Sequence, residues 1–127
     1  MKRRDATGTR RAAEGRGRRA EWVAAWLLRL KGYRVIARRY RTPVGEIDLI
    51  VRRGRLIAFV EVKARATIAE AVESVTPAGC RRVGRAAAAW LGAHPAEGFD
   101  LRFDVVGLAP GRLPRHIPDA FDADGRA

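Results

Sequence analysis

The stretch Gly45-Glu46-Ile47-Asp48-Leu49-Ile50, an Arg53-Gly54 turn, and then Phe59-Val60-Glu61-Val62-Lys63 decides how this chain folds. Two apolar runs rich in β-branched residues flank a glycine turn, which predicts an antiparallel hairpin. Each run carries acids at positions that otherwise read as core. Side chains two apart on a strand share a face, so Glu46 and Asp48 point one way, and Glu61 and Lys63 share a face on the second strand. A tight turn at Arg53-Gly54 sets Glu46 opposite Glu61 and Asp48 diagonal to it. A one-residue slip would send Glu61 and Lys63 to the face away from Asp48.

Like charges facing each other across a sheet are unfavourable, and buried carboxylates are costly unless paired or bound to a metal. A divalent cation among Asp48, Glu61 and Glu46, with Lys63 beside it, relieves the conflict and suggests a metal-dependent phosphodiesterase site. An acid followed by Glu-x-Lys is common by chance; the apolar runs and central turn give the spacing its weight. The alternative is a surface hairpin with solvated charges.

Working outward, residues 1–15 are rich in Arg, Ala and Gly with no apolar stripe and read as a flexible basic arm. A first helix is expected from near Arg16 to Lys31, with Ala20, Val23, Leu27 and Leu30 at helical spacing and Gly32 as its stop. Trp22 and Trp26 form a second stripe widening the buried face. Glu21 shares a side with Ala24, Ala25 and Leu28, an awkward place for a solvated acid, although an exposed helix-surface Glu is the competing reading. Tyr33 to Tyr40 reads as a strand that Pro43 separates from the hairpin.

Beyond Lys63, Ala64 to Val75 has no clear stripe and reads as a loop with a helical turn, mobile over the site. Thr76-Pro77 is an N-cap followed by proline at the first helical position. It opens a helix to about Ala93 with Val83, Ala87, Trp90 and Leu91 inward. Leu101 to Leu108 is a final strand, and a strand–helix–strand crossover makes it parallel to the Glu61 strand. Residues 109–127 mix Pro, Gly and charge and read as a poorly packed tail. The expected architecture is α/β, a central mixed sheet of about four strands flanked by helices, in one domain over residues 16–108.

The chain has 127 residues and a net charge of +12, from 26 basic and 14 acidic residues. Such an excess suits a nucleic-acid partner; an anionic membrane, a basic solubility tail or genomic base bias would give the same sum. The lone cysteine, Cys80, excludes an internal disulfide framework. No apolar h-region follows the basic start and no run approaches a membrane span, so a soluble cytoplasmic protein without membrane association is expected. Cys80 reads as a small half-buried residue. His94 and His116 have no metal-ligand spacing.

Gly45-Glu46-Ile47-Asp48-Leu49-Ile50 followed by Phe59-Val60-Glu61-Val62-Lys63-Ala64-Arg65 resembles the YraN-type family of uncharacterised bacterial proteins. That family is grouped with the PD-(D/E)xK endonuclease superfamily, which includes restriction endonucleases and Holliday-junction resolvases. The resemblance covers roughly Arg16 to Leu108. It takes in Glu21 within Gly17-Arg18-Arg19-Ala20-Glu21, the Gly32-Tyr33 helix end, the hairpin, and Arg102-Phe103-Asp104-Val105-Val106.

The resemblance implies a restriction-endonuclease-like core and metal-dependent hydrolysis of phosphodiester bonds, with branched or structured DNA as a candidate substrate and DNA favoured over RNA. Asp48 and Glu61 would hold Mg²⁺ or Mn²⁺ as oxygen ligands, with the Val62 carbonyl and Glu46 as further candidates. Lys63 would orient a water or stabilise developing charge, and Glu21 would approach the metal from the first helix. Arg81 and Arg82 at the start of the later helix, with Arg16, Arg18 and Arg19, are the phosphate-binding candidates; solvated surface is their other reading. Some resolvase-like relatives carry Lys or Gln near that helix start, where this chain has Ala78, Gly79 and Cys80. Cleavage of a two-fold junction would require a homodimer. A nucleic-acid-binding protein with the same fold and little turnover is the alternative, and an interaction protein using its basic arm is a third.

Overall fold

Gly45 to Lys63 forms the hairpin that its pattern predicts. In the computed structural model, which describes residues 17–126, β2 spans Gly45–Arg53 and β3 spans Leu56–Ala64, paired antiparallel. Leu49, Val51, Ala58 and Val60 pack on one side, and Ile50, Ile57 and Phe59 on the other. Strands apolar on both faces need cover on both. The turn sits one residue later than expected. Arg53 pairs with Leu56, which leaves Gly54 and Arg55 at the tip. Gly54 has a φ of 60°, the positive value that glycine supplies at the first tip position of a tight II′ hairpin. The register thus moves by two residues, and the regular pairing ends at Leu49–Val60, just before Asp48 and Glu61.

The remaining strands are β1 (Arg34–Thr42), β4 (Asp100–Leu108) and β5 (Arg115–Phe121), and the sheet order is β1-β2-β3-β4-β5. All neighbours are antiparallel except β3 and β4. This is the expected α/β mixed sheet, with five strands in place of about four. Helix α1 covers residues 17–30 of the described chain, α2 is Ile68–Glu73 and α3 is Pro77–Ala93. Thr76 caps α3 by accepting the Gly79 N–H at 3.0 Å, with Pro77 in the first turn. The β3–α2–α3–β4 crossover forces the parallel pair. Val83, Ala86, Ala87 and Trp90 bury α3 on the Phe59 side; Ala24, Ala25 and Leu28 bury α1 on the other. Within the described residues no helix is long and apolar enough to cross a membrane.

Three expectations change. The buried stripe of α1 is Ala20, Ala24, Ala25 and Leu28, while Leu30, Trp22 and Trp26 are exposed. Small side chains let the helix lie close to the sheet, which turns the Glu21 side inward. Second, the segment after β3 contains a capped helix: α2 accepts the Glu70 N–H on Thr67 Oγ1 and buries Ala71 against the sheet.

Third, the expected tail contains β5, whose Phe121 is buried. The fully buried Asp104 anchors it by accepting from Arg102 Nε and Nη2 at 2.7 Å each, His116 Nε2 at 2.8 Å and the Asp119 N–H at 3.0 Å. Burial pushes this carboxyl up, and the bonds from His116, Arg102 and Asp119 more than offset that, holding it at about 2. The chain after β5 lies so close to α3 that a Cβ on Gly125 would sit 2.7 Å from the Pro77 carbonyl oxygen. Residues 1–16, including the basic arm and Arg16, lie outside the described residues.

Candidate functional site

The backbone ladder between β2 and β3 ends at Leu49–Val60. One step further, the Val62 N–H donates to Asp48 Oδ2 at 2.7 Å. A side chain has taken the place of the next strand carbonyl. The change coincides with a turnover of faces along β2: Leu49 packs with the α1-side core, whereas Ile47 packs with the α3-side core. Gly45 lets α3 lie close against the start of β2, because a Cβ there would collide with the Arg82 carbonyl oxygen.

Both Asp48 and Glu61 are raised, and the Glu61 charge acts on Asp48. Burial pushes the Asp48 carboxyl up, and the charges of Glu61 and Glu21 add to it, while the Val62 N–H and Lys63 pull the other way; it lies at about 7. Burial likewise raises Glu61, against the opposing charge of Lys63, whose Nζ lies 3.2 Å from Glu61 Oε1. Glu46 adds to the rise in Glu61, and Arg82 opposes it. Two neighbouring acids whose charged forms are disfavoured by burial are where a divalent cation would be stabilised most.

Glu21, on the inward side of α1, joins this group. Its Oε2 accepts from Arg39 Nε at 2.6 Å. Both line a groove of about 300 Å³ with Arg18, Arg41, Glu46 and Asp48. Arg39 was not among the sequence candidates. It lies between the Arg38–Leu49 and Tyr40–Ile47 pairs, level with Asp48, and has a φ of 49°. A bulky residue in the left-handed region marks a local constraint. Nothing in an arginine-rich sequence distinguishes Arg39 from its neighbours; only register exposes it.

Glu46 stands at the rim, half exposed and 3.6 Å from Arg41 Nε. Lys63 also faces a larger groove of about 790 Å³, whose walls include Arg19 and Val23 of α1, Arg65, Leu108 and Pro110. Arg18 and Arg19 therefore border the two grooves. Arg81 and Arg82 are exposed at the start of α3, and the Arg82 charge reaches Glu61. Cys80 is buried, and burial with the nearby Glu61 charge pushes its thiol up, which disfavours a nucleophile.

Among the described residues, no three His, Cys, Asp or Glu side chains converge as a metal cage. Mg²⁺ does not need one. It is commonly held by one or two carboxylates, with waters and substrate phosphate completing its shell. Two desolvated carboxylates, both hard oxygen donors, fit that requirement.

The family model for Uncharacterised protein family UPF0102 matches residues 20–108. The chain belongs to the UPF0102 family. The expected YraN-type membership is thereby shown. A UPF0102 protein of Methylorubrum extorquens (strain PA1) is 56% identical over 122 residues, which cover 95% of each chain. One from Parvibaculum lavamentivorans is 58% identical over 111 residues, 87% of this chain and 84% of the relative. Another from Bradyrhizobium diazoefficiens is 54% identical over 119 residues, 93% of this chain and 90% of the relative. The part of this UPF0102 chain matched by the family model holds Glu21, Asp48, Glu61, Lys63, Arg81 and Arg82. Arg16, Arg18, Arg19 and β5 fall outside it.

Proposed function

We propose that this UPF0102 protein is a divalent-metal-dependent endonuclease that hydrolyses phosphodiester bonds in nucleic acid, DNA in preference to RNA. The observation that carries the reading is the proximity of Asp48 to Glu61, both carboxyls raised by burial and Asp48 further by the Glu61 charge, with Lys63 on Glu61. Asp48 and Glu61 would hold Mg²⁺ or Mn²⁺, with Glu46 and the Val62 carbonyl as further oxygen donors. When bound, such a cation would neutralise charge at a phosphate and acidify water.

The chain's own groups supply the rest. The Val62 N–H fixes one Asp48 oxygen and leaves the carboxylate a defined orientation. Lys63 holds Glu61 and presents an ammonium where negative charge develops in phosphodiester hydrolysis. Glu21 adds a third negative charge near Asp48. Its pairing with Arg39 fits a positioning role at the groove. Arg18, Arg19, Arg81 and Arg82 would hold flanking phosphates, and Arg16 extends that set in sequence. A cytoplasmic location and, for a two-fold branched substrate, a homodimer go with this reading.

The test is a cleavage screen over linear, flapped, branched and single-stranded DNA and RNA with Mg²⁺, Mn²⁺ or EDTA. Cleavage that needs metal and disappears in Asp48→Asn is expected. A second reading, a nucleic-acid-binding protein with little turnover, is favoured by Ala78, Gly79 and Cys80 at the start of α3, where some resolvase-like relatives carry Lys or Gln. Salt-sensitive binding without cleavage on every substrate would select it.

A further inference from the structure

Trp22 and Trp26 of α1 leave 56% and 47% of their surface in solvent. They lie one helical turn apart on the face opposite Ala24 and Leu28, with ring centroids 6.0 Å apart and planes at 70°. Cations border them: the Arg29 guanidinium carbon lies 5.8 Å from the Trp26 centroid, and Arg18 and Arg19 are exposed on the preceding turn. Two exposed indoles framed by three arginines suit a partner that is flat, aromatic and anionic. Unpaired nucleobases on a phosphate backbone have that chemistry: the base stacks on the ring while arginines meet the phosphates. A second copy of this face would bring Arg18, Arg19 and Arg29 against their like charges, which opposes self-association.

The position of α1 supplies the connection to the site. Arg18 and Glu21 line the groove that holds Asp48, and Arg19 and Val23 line the groove that holds Lys63. A strand lying at the carboxylates passes this helix on either flank. We infer that the outer face of α1 is a stacking platform for unpaired nucleobases, so that the nucleic acid taken is single-stranded or locally unpaired beside the carboxylates. The inference rests on the nucleic-acid part of the proposed function and is independent of turnover.

The chain has three tryptophans, and Trp90 is buried, so emission open to acrylamide reports Trp22 and Trp26. The full chain is titrated with a short oligothymidylate and with a duplex of equal length at fixed salt. Stronger quenching and tighter binding are expected with the single strand. Trp22→Leu with Trp26→Leu keeps apolar surface but removes the rings, and should weaken oligothymidylate binding by about ten-fold or more. The paired Phe variant should retain most of the affinity. Thermal melts of both variants should match the parent closely, since neither indole belongs to the buried core.

Unchanged affinity in the Leu variant would overturn the platform, as would indoles that acrylamide does not reach. Emission that responds to phosphatidylglycerol vesicles but not to oligonucleotide would assign the face to a membrane. Ring-dependent dimerisation without oligonucleotide binding would assign it to a second copy. Ring-dependent binding without cleavage leaves the platform standing and removes only the nuclease reading. Cleavage with ring-independent binding does the reverse.

Discussion

Val62 gives its backbone N–H to Asp48 Oδ2 at 2.7 Å, one step beyond the last β2–β3 pair at Leu49–Val60. A donor normally satisfied by the neighbouring strand is satisfied by a carboxylate instead. The bond ties Asp48 to the backbone between Glu61 and Lys63, so the three functional side chains share one anchor point. It lowers the Asp48 pKa, but less than burial and Glu61 raise it.

Stability of the metal-free protein should fall with rising pH. The Asp48 carboxyl is raised from 3.8 to about 7, so over that interval the folded chain holds a proton that the unfolded chain has lost. The associated stability is fully present below the unfolded value and is lost as pH rises through the folded one. Thermal melts in EDTA should therefore show a lower Tm at pH 7.5 than at pH 5, with a flatter profile in Asp48→Asn. Parallel profiles would remove Asp48 as the source.

Asp48→Asn combined with Glu61→Gln should abolish divalent-metal binding in a calorimetric titration with Mg²⁺ or Mn²⁺. The change also removes the repulsion between the two acids, so the metal-free variant should be as stable as the parent or more so. Metal at 100 times its Kd should stabilise the parent by about 2.7 kcal/mol and leave the variant unaffected. A large loss of metal-free stability in the variant would make the two acids structural.

Lys63→Arg should abolish cleavage while leaving fold and binding nearly intact. Only Lys2, Lys31 and Lys63 are lysines among 26 basic residues. A position needing charge alone would in this composition be arginine. The ammonium sits 3.2 Å from Glu61 Oε1 and is largely shielded from solvent, a setting that a wider guanidinium would disturb. Metal-dependent turnover of Lys63→Arg beside Lys63→Ala checks it. Full activity in the arginine variant would leave Lys63 as a neutralising charge only.

Asp104→Asn should destabilise the fold by about 3 kcal/mol or more, because Arg102 and His116 lose the buried anion they share. The sign with pH is opposite to that of Asp48. The Asp104 carboxyl is lowered from 3.8 to about 2, so its stability is present above the unfolded value and is lost as pH falls through the folded one. Urea denaturation at pH 7 and at pH 3 checks both parts. The gap between parent and variant should be larger at pH 7, and an equal or smaller gap there would contradict the assignment.

Much of the fold is written in local pattern. The β2–β3 hairpin follows from two apolar runs around a glycine turn, and α3 from Thr76-Pro77 with Val83, Ala87 and Trp90 at helical spacing. The parallel β3–β4 pair follows from the helix between them. Asp48, Glu61 and Lys63 stood out because acids interrupted core-like strands. These signals span a few residues each, the range over which strand alternation, helical periodicity and capping act.

Tertiary packing decided what those patterns left open. Helix α1 had two apolar stripes, and the sheet took the side with Ala24 and Ala25 because small side chains allow close approach, which left Trp22 and Trp26 outside and put Glu21 at the groove. The hairpin register moved by two residues, and beyond the Leu49–Val60 pair β2 turned its faces over, so that the Asp48 side chain met the Val62 N–H. Arg39 acquired a partner in Glu21, 18 residues earlier. Strand β5, with Pro118 within it and little alternation, carries a weak strand signal. Its place comes from His116 and the Asp119 N–H, which reach Asp104 from 12 and 15 residues away. A buried carboxylate must find donors wherever the fold can bring them, and that requirement is satisfied in space, between residues that local sequence pattern does not connect.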